Sequence, residues 1–118
     1  NPLDFEMRYN LTLSTDDARK ASYIAKGLVK FWGEEKIWAR GIVREAFKAH
    51  EARILIGIKD VEEVPPLKVL EHVRAVGRRF NVDVVEADIV GEVSFRAILS
   101  TAEQALMVEK IRPSQIRM

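Results

Sequence analysis

A chain of 118 residues, 47% of them apolar, is long enough for one domain with a real core. Its formal net charge of +1 excludes a strong global pull on nucleic acid, while leaving local patches open. No apolar run reaches the length of a membrane span, no signal-peptide pattern is present, and the lack of cysteine excludes disulfides, thiol nucleophiles and thiolate metal sites. A cytoplasmic setting fits this composition. Charged residues at 31%, with few Asn, Gln or Cys, lean toward a thermophile. The chain opens on Asn1-Pro2 rather than Met, which fits one that is processed, trimmed or cut from something longer.

Residues 3–14 alternate without a break. Leu3, Phe5, Met7, Tyr9, Leu11 and Leu13 fall on one side, and Asp4, Glu6, Arg8, Asn10, Thr12 and Ser14 on the other. That period of two predicts a strand with one face on a core and one face wet. Ser14 or Thr15 is then expected to cap a helix, with Asp16 and Asp17 at the positive end of its dipole. Ala18, Ala21, Ile24, Ala25, Leu28, Phe31 and Trp32 recur at helical spacing, and Gly33 is the expected stop.

Residues 36–48 fit two patterns. As a strand, Ile37, Ala39, Gly41, Val43 and Phe47 share a face; as a helix, Trp38, Ile42, Ala46 and Ala49 do. Gly41 disfavours the helix by about 1 kcal/mol, so a strand is predicted. It returns through a turn at His50-Glu51 into a nearly all-apolar strand over 53–59. An acidic loop and Pro65-Pro66 lead into a helix over 66–80, built on Leu67, Leu70, Val73, Val76 or Gly77, and Phe80. Asn81 ends it, residues 82–90 form a strand, and Gly91 breaks that strand. Residues 94–110 are read as a helix with Ser94 as cap and a stripe of Phe95, Ile98, Leu99, Ala102, Ala105 and Leu106. The order βαββαβ plus a trailing helix predicts a ferredoxin-like α+β domain, with a four-stranded antiparallel sheet and two helices on one face. That plan hosts many functions.

Chemistry-bearing patterns are sparse. There is no phosphate loop, no Ser-His-Asp set and no ligand-spaced histidine cluster. His50 is expected to be exposed in its turn, and His72 makes no ready pair with the adjacent Glu71 on a helix. Asp83, Glu86, Asp88 and Glu92 gather around the last strand, where a solvated face outweighs acid–base work. Arg74 and Arg78 lie one helical turn apart and could hold an anion, though a solvated helix face accounts for them as well. Trp38, Arg40, Arg44 and Lys48 form a candidate RNA patch, but the pattern of an RNA-recognition motif is absent.

Several stretches carry more when taken in order: Tyr9-Asn10-Leu11-Thr12-Leu13, followed by Ser14-Thr15-Asp16-Asp17-Ala18; Gly41-Ile42-Val43; Ala52-Arg53-Ile54-Leu55-Ile56-Gly57-Ile58-Lys59-Asp60; Val69-Leu70-Glu71-His72-Val73; and Val84-Val85-Glu86-Ala87-Asp88-Ile89-Val90-Gly91-Glu92-Val93-Ser94. Together they resemble the C-terminal subdomain of glutamate formiminotransferase over about residues 7 to 110. No single motif is specific; order and spacing make the case. The resemblance implies a groove that binds tetrahydrofolate and formiminoglutamate between two subdomains, a catalytic histidine on the N-terminal one, and dimerisation. Matching positions are Asn10, Gly41, Val90 and Gly91, whose implied role is to shape the groove. Thr12, Val43, Gly57, Glu92 and Ser94 depart from the family pattern. The expectation is therefore a stand-alone subdomain-like protein that is not catalytic alone. It would bind a folate or other small anion, pair with a separate N-terminal half, or form a homodimer. The alternative is a ferredoxin-like module for RNA or protein.

Overall fold

A computed structural model describes residues 6–47 and 49–117. The expected strand positions 3–5 and the basic candidate Lys48 lie outside the described residues. The elements are β1 (Met7–Leu13), α1 (Ala18–Trp32), β2 (Ile37–Ala46), β3 (Ala49–Ile58), α2 (Pro66–Arg78), β4 (Val84–Val90) and α3 (Phe95–Leu106), with a short 3-10 turn at Pro113–Gln115. The strands form one antiparallel sheet in the order β2-β3-β1-β4. This is the expected ferredoxin-like α+β fold with an added C-terminal helix.

The core lies between one sheet face and the first two helices. Met7, Leu11 and Leu13 of β1 and Ile54, Ile56 and Ile58 of β3 meet Ala21, Ile24, Ala25 and Leu28 of α1 and Val69 and Val73 of α2. The register pairs Met7 with Ile58, Tyr9 with Ile56 and Leu11 with Ile54. Opposite residues in an antiparallel pair share a face, so apolar meets apolar along the whole ladder. Helix α1 packs mainly on β2 and β3, and the strand that α2 meets is β4.

Gly33 does close α1, at a φ of 102° that favours glycine. Asp17, not Ser14 or Thr15, caps that helix and accepts the Arg19 N–H at 2.9 Å. This bond holds the Asp17 carboxyl below the usual carboxylate range. Ser14 instead accepts the Asp83 N–H at 2.8 Å and ties the end of β1 to the start of β4. Residues 37–46 take the strand, but the hairpin turns after Ala46, and His50 sits on β3 opposite Glu45. Ser94 caps α3 through the Ala97 N–H. The predicted α3 stripe is not what packs: Ala97 is buried, and Phe95, Ile98, Ala105 and Leu106 are exposed.

Gly41 faces α1. A Cβ there would stand 2.6 Å from the Ala21 carbonyl carbon and 2.9 Å from its Cβ, and backbone cannot yield cheaply. The Gly41→Ala variant is expected to lose about 1–3 kcal/mol of stability in urea denaturation, by overpacking. At the junction of α1 and α2, His72 sits against Phe31 and Trp32, with ring centroids 5.2 and 5.4 Å away. Burial, and secondarily the Arg79 charge, lower its pKa from the ordinary 6.5. The folded state thus resists protonation. The stabilisation from neutral His72 is complete above about pH 6.5 and is lost as pH falls through the depressed folded value. Melting temperatures between about pH 7.5 and 5, the range of histidine titration, are expected to fall more steeply for the native chain than for His72→Gln.

Candidate functional site: the open face of the sheet

The sheet face turned away from α1 and α2 collects the even-numbered residues of β1, β2 and β4 and the odd-numbered ones of β3. Cross-strand partners set its rows. One row runs Trp38, Gly57, Arg8, Val90; the next Arg40, Leu55, Asn10, Asp88; the third Ile42, Arg53, Thr12, Glu86. These positions are where the period of two places them, but which ones meet is decided by register alone.

At the centre, four polar side chains form a linked set. Arg53 Nε donates to Thr12 Oγ1 at 3.1 Å, and Arg53 Nη2 donates to Asp88 Oδ2 at 2.6 Å. Asn10 Nδ2 donates to Asp88 Oδ1 at 3.2 Å. The guanidinium therefore reaches from β3 across β1 to β4. Asn10 and Arg53 are each only 7% exposed. With Nδ2 turned to Asp88, the buried Asn10 Oδ1 has no hydrogen-bond donor among the described residues. A buried acceptor without a donor costs about 1–3 kcal/mol, so this oxygen marks the spot where an added N–H or O–H would gain most.

The β2–β3 half is different. Trp38 lies over Gly57, where a Cβ would collide with the indole and with Glu6. The indole N–H donates to Glu6, and the Arg8 guanidinium sits 4.8 Å from the ring centroid, a cation–π contact. Glycine at 57 thus makes room for the tryptophan. Arg44 pairs with Glu51 at 3.1 Å. Arg40, exposed and one row from Trp38, has no carboxylate partner among the described residues.

The groove candidates divide. Asn10 and Val90 lie on the open face, and Gly91 follows at the end of β4 with a φ of 80°. Gly41 points to the helix side and does not line the face. Trp38, Arg40 and Arg44 do come together on the open side of β2. Sequence reasoning missed Arg53, Thr12 and Arg8 as site residues. The available signal was a lone arginine inside the apolar run of β3. Two clefts lie elsewhere: one of about 580 Å³ by Phe95, Arg96, Leu99, Glu103 and Lys110, the other by Phe31, Trp32 and His72. In the first, Arg96 pairs with Glu62 and Glu103 accepts the Ile111 N–H, whereas the open face holds a buried amide oxygen without a donor among the described residues. Among the described residues no group of three His, Cys, Asp or Glu is placed to hold a metal, and no helix is long and apolar enough to cross a membrane.

Compared with known proteins, the chain matches no family model and no curated protein.

Asp88 is the partner that Arg53 can least lose. Asp88→Ala leaves a buried guanidinium short of its carboxylate and is expected to cost about 1–3 kcal/mol in chemical denaturation. The loss is moderated because the Asp88 side chain is itself 43% exposed. Arg53→Met with Asp88→Ala is expected to recover part of it.

Proposed function

We propose that this chain is a stand-alone relative of the formiminotransferase C-terminal subdomain whose open sheet face binds a folate or another small anionic ligand. One observation carries this: an uncompensated cation, Arg40, and a donor-poor buried amide oxygen, on Asn10, share one row of the face. A ligand with a carboxylate and a ring N–H would serve both. Asn10 and Val90, at two of the positions matching the family, line the same surface. Formimino transfer also needs a placed proton shuttle. Neither histidine supplies one here, since His50 is near the β2–β3 turn and His72 lies among the helices. Catalysis therefore calls for a separate N-terminal half, and binding alone is the function of this chain. A homodimer is part of this reading.

The second reading is an RNA-binding module, favoured by the gathering of Trp38, Arg8, Arg40 and Arg44 on one face. It offers one aromatic ring, already covered by Arg8, where single-stranded RNA usually stacks several bases.

Thermal unfolding with 5-formyltetrahydrofolate separates the two. A saturable rise in stability, about 2.7 kcal/mol at a hundredfold excess over Kd, is expected. It should be lost in Arg40→Gln, whose exposed side chain adds little to stability by itself. No shift at any concentration, with salt-dependent RNA binding abolished by changing Trp38, Arg40 and Arg44, would replace the first reading by the second.

A further inference from the structure

We infer that the outer surface of α1 and α2 binds the phosphate backbone of a nucleic-acid duplex through two rows of cations. This surface lies on the opposite side of the sheet from the open face and is independent of any ligand there.

Charge is segregated in the fold. Helix α1 carries Arg19, Lys20, Lys26 and Lys30 and no acid. Helix α2 with the residue after it carries Lys68, Arg74, Arg78 and Arg79 against Glu71 alone. The whole chain has 19 basic and 18 acidic residues, so acids are in excess in the remainder. Arg19 pairs with Asp17, and Lys68 with Glu71. Lys20, Lys26, Lys30, Arg74, Arg78 and Arg79 have no carboxylate partner among the described residues. All of these six but Lys20 are exposed.

Charges that serve only solubility are normally arranged to suit their helix. Lys30 and Arg78 do so, in the last turns of α1 and α2. The others do not. Arg19 and Lys20 stand in the first turn of α1 and Lys68 in that of α2, where the helix dipole repels cations; neither turn holds an acid. Lys26 with Lys30, and Arg74 with Arg78, are like-charged pairs one helical turn apart, which weaken a helix. Fold stability does not account for this pattern, and an external polyanion does.

Arg19, Tyr23, Lys26 and Lys30 are all exposed, and their spacing puts them on one side of α1. From Arg19 to Lys30, and from Lys68 to Arg79, each row covers about 16 Å of helix. The helices lie side by side and antiparallel, since Tyr23 meets the Phe80 ring at 5.3 Å and Phe31 meets His72 at 5.2 Å. Packed helices have axes about 8–10 Å apart. The two strands of a duplex, facing across a groove about 6–12 Å wide, present phosphates in two rows at a similar separation. A duplex carries about nine phosphate charges over 16 Å, enough to engage every cation here. The exposed acids flanking the surface, Asp16, Glu34, Glu35, Glu62 and Glu63, sit beyond the helix ends. Both helices bury their apolar faces on the sheet, so no apolar stripe remains to enter a membrane.

Fluorescence anisotropy with a mixed-sequence duplex of about 20 base pairs, at about 50 to 200 mM salt, tests this. Five exposed, unpaired cations predict a slope of log K against log salt of about −4.5, a loss of several hundredfold over that range. Lys26→Gln with Lys30→Gln is expected to reduce the slope by about two and to melt close to the native temperature. Arg74→Gln with Arg78→Gln should do the same, so each helix is checked by a separate variant. No duplex binding at the lowest salt would overturn the inference, whether or not phosphatidylserine vesicles then bind. A full slope in both variants, with binding lost in Arg40→Gln with Arg44→Gln, would also overturn it by moving the contact to the open face. So would polyglutamate competing as well as the duplex at equal charge, which would leave only a general attraction to polyanions.

Discussion

Strand β1 is hydrogen-bonded on both sides, to β3 and to β4, and its strict alternation sorts the sheet into an apolar and a polar face. A register slip of one residue on either side would turn Asn10 and Thr12 into the core and Leu11 out of it. Burial of Met7, Leu11 and Leu13 opposes that slip by roughly 1.5–3 kcal/mol per side chain. The same constraint delivers Arg8, Asn10 and Thr12 to the open face. Core and site are thus two consequences of one pattern.

The open face holds together through reach rather than through neighbours in sequence. Arg53 crosses β1 to Asp88, and only a side chain of that length spans two strand spacings of about 4.8 Å each. Its fork satisfies Thr12 and Asp88 together, which fixes Asp88 as the acceptor for Asn10 and leaves the amide oxygen without a donor among the described residues. Thr12 and Gly57 depart from the formiminotransferase pattern, yet each has a defined local partner: Thr12 receives Arg53, and Gly57 receives the flat indole of Trp38. The departures thus form a self-consistent surface with a different polar pattern.

The helix layer covers the sheet unevenly. Helix α1 closes over β2 and β3, α2 meets the sheet at β4, and Val85 and Ile89 of β4 remain exposed. Helix α3 adds to this imbalance, since its small residue Ala97 packs inward while larger apolar side chains stay outside.

Residue pattern alone determined the element order, the core face of β1, the middle of the α1 stripe from Ala21 to Leu28 though not its ends at Ala18 and Phe31, its glycine stop and the start of α3 at Ser94, because each depends on local periodicity or on one backbone conformation. Capping at Asp17 rather than Ser14 escaped it, since Ser14 was claimed by Asp83, 69 positions away. The α3 stripe misled because apolar spacing reports what a helix can bury, not what lies beside it. The polar set of Thr12, Arg53, Asp88 and Asn10 joins residues 35 to 78 positions apart, and no local signal marks such pairs. Likewise the pairing of Gly57 with Trp38, the turn of Gly41 toward α1 and the uncovered edge at β4 were decided only by tertiary structure, because register and helix placement choose which side chains face one another.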